Sequence, residues 1–264
     1  MGAPIINAAE FAAFVLVLLR VSMVVVIAPI LGGNAVLAQI KAALALMLTF
    51  AIAPMVEYSA DMMPMTWFGF LFLGLGEILL GFALAFMVRL VLEAANVAGE
   101  YMSVQMGLSM LNTMDPQSGG AVSHLSLFLY LTVSLIFLYA NGHMLVIKAV
   151  AESFKVAPPG LLNLWRPEMF TEVVKAMVGL YVLALKIAAP VIGVLFCVKA
   201  GFGIAAKAVP QMNILFIGIP VYIIVGFVVL GFAMPWWPQM LGQVLIGVDH
   251  TLGRILGFLA PAVH

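Results

Sequence analysis

Six stretches of about 20 residues run almost without charge, and few folds can accommodate a chain written that way. They cover residues 11–31, 42–56, 66–92, 125–151, 173–198 and 212–234. A segment in lipid must satisfy its own backbone N–H and C=O groups, which only helices and closed barrels do. The runs lack the alternation of a barrel strand, so helices are expected. The predicted fold is all-α, built of hydrophobic helical hairpins, with about six apolar helices and additional amphipathic ones. The second stretch is short, while the third and fourth are long enough to tilt or to project beyond the hydrocarbon.

Composition agrees about the solvent. Hydrophobic residues make up 65% and charged residues 8%, against roughly 25% charged in an ordinary soluble domain. Mean hydropathy is +1.22. The 11 basic and 11 acidic residues cancel, so no basic field exists to hold nucleic acid. Cys197, the single cysteine, lies within an apolar stretch and reads as a small buried hydrophobe. The early apolar run has no Lys or Arg before it and continues past Arg20. It reads as a first span, being too long for a cleaved signal.

Two segments look amphipathic. After Pro167, the residues Phe170, Val173, Val174 and Met177 follow helical spacing opposite Glu168, Glu172 and Lys175, and this helix leads into the fifth apolar stretch. After Trp236 and Trp237, one face collects Leu241, Val244, Leu245, Val248, Leu252, Ile255, Leu256 and Leu259. Such a tail either lies in the membrane interface or packs on a partner helix. With six alternating spans, Lys41, Lys199 and Lys207 share one side, and the positive-inside rule makes that side cytoplasmic.

Among the charges in or near the spans, Arg20, Glu77, Lys148 and Lys186 are the candidates that need explaining. A lone charge at the bilayer centre costs about 3 kcal/mol even on the lenient insertion scale. These four are therefore candidate buried charges or inter-subunit contacts, or, in a self-sufficient transporter, coupling-ion sites. Glu77 follows Gly74-Leu75-Gly76, small neighbours that let another helix approach, and Arg20 or another chain could supply its partner. The histidines His124, His143, His250 and His264 are scattered, without HExxH, CxxC or a nucleophile elbow. No enzyme motif, metal site or cofactor is suggested.

Residues 99–124 interrupt the apolar pattern with a segment rich in methionine and glycine. Met102, Met106, Met110 and Met114 recur at every fourth position, along one side of any helix they form. Asp115-Pro116 and Ser118-Gly119-Gly120 then carry turn chemistry. The methionine stripe is either ordinary packing or a pliable surface that seals against changing partners.

Several short elements together carry a family resemblance. They are Gly99-Glu100, Gln105-Met106-Gly107-Leu108-Ser109, Asp115-Pro116, Asn141-Gly142-His143, the run from Lys186 to Pro190, and Pro210-Gln211-Met212-Asn213 through Gly218 and Pro220. In order and spacing, over nearly the whole chain, they resemble the FliR family of type III export-gate subunits. Injectisome relatives share the Asp-Pro and Pro-Gln elements; the other elements favour the flagellar branch.

The resemblance implies a non-enzymatic subunit, without cofactor, that joins FliP-like and FliQ-like chains in a helical pore for unfolded flagellar proteins. FlhB-like and FlhA-like export proteins would stand at its cytoplasmic entrance. Its place would be the bacterial inner membrane at the flagellar basal body, in contact with lipid, with some helices held above the bilayer plane. Residues 1–172 would be FliP-like and 173–264 a FliQ-like hairpin with an amphipathic tail. A plug loop at about 106–122 would include Met106, Gly107, Leu108, Met110, Met114, Asp115, Pro116, Gly119 and Gly120. Lys199, Lys207, Pro210 and Gln211 would mark the cytoplasmic hairpin tip. The alternative of a different class is a stand-alone six-helix transporter or channel for a small solute, which should fold alone where a gate subunit needs partners.

Overall fold

The computed structural model describes residues 8–29, 32, 36–56, 66–109, 123–159, 167–208 and 214–259. Among these residues every regular element is helical: α1 (Ala8–Ile27), α2 (Ala38–Ile52), α3 (Trp67–Met106), α4 (His124–Tyr139), α5 (Gly142–Val156), α6 (Pro167–Ala208), α7 (Ile214–Ala233) and α8 (Trp237–Leu259). Short 3-10 turns at Ala53–Met55 and Met234–Trp236 extend α2 and join α7 to α8. The all-α expectation holds. Five helical stretches are long and apolar enough to cross a membrane, or six if α4 and α5 count as one broken span.

The third and fifth apolar stretches belong to helices longer than hydropathy alone suggests. At 40 and 42 residues, α3 and α6 each reach roughly 60 Å, about twice the hydrocarbon thickness. The methionine-rich segment therefore begins as helix, since Met102 and Met106 lie in the last turns of α3. Pro167 opens α6, and the amphipathic segment continues into the fifth stretch without a break. Pro190 is accommodated inside α6.

The fourth stretch, 125–151, is not one helix. α4 ends at Tyr139, and Asn141 adopts φ 57°, in the left-handed region, before α5 starts at Gly142. Asparagine tolerates that conformation better than most residues because its short polar side chain can bond locally. One such residue ends the i→i−4 ladder, a break that a hydropathy average does not register.

The chain packs as two compact units, one of residues 1–90, 141–176 and 245–264, the other of 91–140 and 177–244. The boundaries fall inside α3, α6 and α8 and beside Asn141. In the first unit, α1 buries Ala13, Leu16, Val17, Arg20, Val21 and Val24, a helical stripe. The Phe14 and Phe50 rings of α1 and α2 meet with centroids 5.1 Å apart. In the second unit, the buried stripe of α3 runs through Ala94, Ala95, Ala98, Met102 and Met106, and that of α6 through Leu183, Ala184, Ile187, Ala188, Val191 and Leu195.

Side-chain exposure decides several sequence readings. The tail helix α8 buries Leu241, Leu245, Leu252, Ile255 and Leu256 within the chain, so it packs on helices and does not merely float on an interface. The start of α6 is oriented against expectation. Phe170, Val174 and Met177 are exposed while Glu172 is buried, because Glu172 finds cationic partners inside the chain. Cys197 is exposed as well, which corrects its reading as a buried residue.

Candidate functional site: loop root and buried charge centre

The second unit contains the root of the loop, and its geometry starts with how α3 stops. Gly107 has φ +81°. Its N–H donates to the Val104 carbonyl at 3.2 Å, and the Leu108 N–H donates to the Ser103 carbonyl at 3.0 Å. This pair of bonds around a left-handed glycine is the Schellman helix stop, which satisfies carbonyls that would otherwise be left over. A residue with a Cβ would be strained there, so the glycine is what lets the chain turn away.

The residues just before that turn touch the hairpin of α6 and α7. Lys199 Nζ of α6 donates to Gln105 Oε1 at 2.6 Å. The same ammonium lies 5.5 Å from the centre of the Tyr222 ring, which meets Phe202 edge-on at 5.7 Å. Met106, wholly buried, lies against the bare backbone of Gly226, where an added Cβ would come within 2.2 Å of its Cε. Gly107 itself faces Ile219.

The far end of the loop is tied to α3. Glu100 Oε1 accepts from the Ser123 N–H at 3.1 Å and from Ser126 Oγ at 3.0 Å. A carboxylate at the start of α4 satisfies a free N–H and complements the positive end of the helix dipole. Close approach of the two helices needs Gly99, whose added Cβ would fall 2.3 Å from Ser126 Cα. Both ends of the loop are therefore held. Of the expected loop residues, Met106, Gly107 and Leu108 are placed here; Met110, Met114, Asp115, Pro116, Gly119 and Gly120 lie outside the described residues.

The first unit holds the buried charge centre. Arg20 is 1% exposed and Glu77 5%. Arg20 Nε donates to Glu77 Oε2 at 2.6 Å, Nη1 to Ser153 Oγ at 3.0 Å and Nη2 to the Ala157 carbonyl at 2.9 Å. The guanidinium also lies 4.0 Å from the centre of the Phe154 ring. One cation thus ties α1 to α3 and to the end of α5, where a positive charge complements the free carbonyls and the dipole. Each of its three nitrogens donates to a group of the chain itself, as a structural pair requires.

Lys148 and Lys186 are corrected as buried charges within the chain. Lys148 is exposed, 3.8 Å from Glu152 one turn on. Lys186 is exposed on α6 and makes no hydrogen bond or ion pair with any described residue. Lys199 and Lys207 lie on the last turns of α6, so the segment that begins at Lys199 is helical to Ala208. Pro210 and Gln211 lie outside the described residues.

Sequence reasoning missed a second ion cluster in the first unit, a buried carboxylate held by two exposed cations. Glu172, 5% exposed, is 2.7 Å from Lys175 Nζ and 3.3 Å from Arg254 Nη2 of α8. Arg254 on the polar face of the amphipathic tail was the hint to its third member. His143 sits at the start of α5 as a helix-end residue, and its buried Nδ1 has no hydrogen-bond partner among the described residues. No three His, Cys, Asp or Glu side chains among those residues converge to hold a metal ion.

Comparison with known proteins completes the picture. The sequence model of the family described as bacterial export proteins, family 1, matches residues 11–247. The flagellar biosynthetic protein FliR of Escherichia coli K12 is 34% identical over 93% of this chain and 90% of its own length. FliR of Bacillus subtilis 168 is 29% identical over 83% and 85% of the two chains, and FliR of Aquifex aeolicus VF5 is 30% identical over 78% and 79%. With a match that runs from the first helix into the last, the chain belongs to the FliR family of bacterial export proteins.

Proposed function

We propose that this chain is a non-enzymatic subunit of the flagellar type III protein export gate, and that its loop at 106–122 closes the resting pore. Family membership carries the first half: a flagellar export component of the inner membrane that works with other export components. The finer reading is that FliP-like and FliQ-like chains complete the pore for unfolded flagellar proteins, with FlhB-like and FlhA-like proteins at its cytoplasmic side. In this reading residues 1–172 are the FliP-like part and 173–264 the FliQ-like hairpin, whose tip, with Lys199, Lys207, Pro210 and Gln211, faces the cytoplasm at the basal body.

Exposed apolar surface supports a life in assembly. Trp67 and Phe68 are each 87% exposed, as is Phe216 at 80%, with Phe170 and Phe232 close behind. A helix apolar all round needs only apolar neighbours, whether lipid or protein, so some of these helices can be held above the bilayer plane by other subunits. Lys186, and Lys148 on its exposed face, are the charges left for contacts between subunits. The internally satisfied Arg20 favours this reading over a coupling-ion site in a transporter.

The observation that carries the closing role is the fixed root and fixed exit of a loop rich in methionine and glycine. Methionine packs into a lumen without demanding one partner geometry, and a glycine pair such as Gly119-Gly120 admits backbone conformations closed to other residues. A gap of a few kcal/mol between closed and open states is small enough for an arriving substrate to tip by differential binding. Shortening the loop between Met110 and Gly120 is expected to leave assembly intact and to admit small ions, read with a membrane-potential dye. An assembled, shortened variant as tight as the parent would make the loop a linker.

A further inference from the structure

We infer that the first unit carries a binding site for a zwitterionic phospholipid headgroup of the phosphoethanolamine kind, in the groove between α5 and α8. The inference is independent of the loop and of the gate reading. In a chain with 8% charged residues, four charged side chains and a histidine line this one groove: Lys148 and Glu152 from α5, with Asp249, His250 and Arg254 from α8. Its volume is about 370 Å³, within the range of roughly 300–1,000 Å³ that small-molecule sites occupy. The floor is apolar, with Leu252 and Leu256 buried beneath the charged rim. At Gly253 an added Cβ would meet nothing within 4 Å, so the space over that part of α8 is open.

The rim groups are available to a ligand. Lys148 and Glu152 are 3.8 Å apart and both exposed, an ion pair that water screens to little value. Asp249 and His250 make no hydrogen bond or ion pair with any described residue. Arg254 is held through Nη2, 3.3 Å from Glu172 and 3.4 Å from Thr251 Oγ1, which leaves its other donors for a ligand. The neighbouring Glu172 has a cation of its own in Lys175, 2.7 Å away.

The charge pattern selects the ligand class. Two cations and two carboxylates leave the rim net neutral, so a simple anion meets as much repulsion as attraction, while a ligand with separated charges satisfies both signs. Lys148, Arg254 and an N–H of His250 suit a phosphate. Glu152 and Asp249 suit an ammonium that donates N–H bonds. A quaternary ammonium donates none and is recognised by aromatic faces, and no aromatic side chain lines the groove. A primary ammonium is therefore favoured. Exposed apolar side chains stand one helical turn from the charges on both helices, Met144 before Lys148 and Ile246 before Asp249 and His250, where acyl chains can lie. Charges this dense are too costly to face hydrocarbon, so the groove belongs at the headgroup layer.

The test uses the full chain purified with its co-expressed partners, stripped of lipid in detergent and mixed with micelles that carry phosphatidylethanolamine, phosphatidylcholine or phosphatidylglycerol. Native mass spectrometry counts the lipid retained. One phosphatidylethanolamine per copy of this chain is expected, with the other two lipids held roughly tenfold more weakly, the worth of one charge-assisted bond. Gly253→Leu fills the groove and is expected to assemble and to lose that lipid. Glu152→Gln with Asp249→Asn leaves the rim net positive and is expected to turn the preference toward phosphatidylglycerol, a reversal that a merely structural role would not produce. Equal retention of the three lipids by the parent, a Gly253→Leu assembly that keeps the lipid, or an unchanged preference in the double variant overturns the site. Soluble glycerophosphoethanolamine that displaces the lipid at equal concentration makes the ligand a free headgroup compound and overturns the lipid assignment. Loss of partner chains from either variant makes the groove, with Lys148, a contact between subunits and likewise overturns the site.

Discussion

Arg20 shows how a single residue can be conspicuous in sequence and still withhold its role. An arginine in an apolar run demands a partner, and Glu77 among glycines was an evident candidate. Ser153 Oγ and the Ala157 carbonyl were not legible, because nothing in the spacing of α1 says that the end of α5 packs beside it. The pair gives an asymmetric prediction. Glu77→Met leaves a buried guanidinium without its counter-charge and should cost about 3–5 kcal/mol. The double variant Arg20→Met with Glu77→Met should recover most of that loss, since apolar replacement of a whole buried pair is often neutral. Thermal unfolding of the detergent-solubilised co-expressed assembly measures both, and a double variant less stable than Glu77→Met alone would contradict a purely structural pair.

At the scale of elements, helices were legible and their ends were not. Long apolar runs leave no alternative to helix, so every apolar stretch contains one. Ends depend on single residues: Asn141 breaks the fourth stretch, while nothing breaks α6 from Pro167 to Ala208. The buried face of α6 at Glu172 also escaped the sequence, because it is decided by Arg254 on another helix. The loop root was half legible, in that Gln105-Met106-Gly107 stood out as a motif but its contact with Lys199 is tertiary. Two glycines test the helix-stop argument. Gly107→Ala places a Cβ at φ +81° and should cost about 1–2 kcal/mol. Gly179→Ala, in the middle of α6 where a Cβ meets nothing within 4 Å, should instead gain about 0.5–1 kcal/mol. Melting temperatures moving in opposite directions would bear this out, and equal shifts would not.

On the scale of the whole molecule, the Arg20–Glu77 charge centre is satisfied within the chain while large apolar side chains face outward. Trp67, Phe68, Phe170 and Phe216 sit on separate helices or helix ends, more uncovered surface than one soluble chain carries without partners or lipid. That balance, with a family match over residues 11–247, is what an export subunit needs if other subunits and lipid complete its packing. Such a chain is expected to depend on assembly, and native mass spectrometry of the chain co-expressed with FliP-like and FliQ-like subunits tests this most directly. The predicted result is one hetero-oligomer in which this chain is the minority subunit, together with poor recovery of the chain expressed alone. A stable, monodisperse species of this chain alone, unchanged by the presence of those partners, would contradict it.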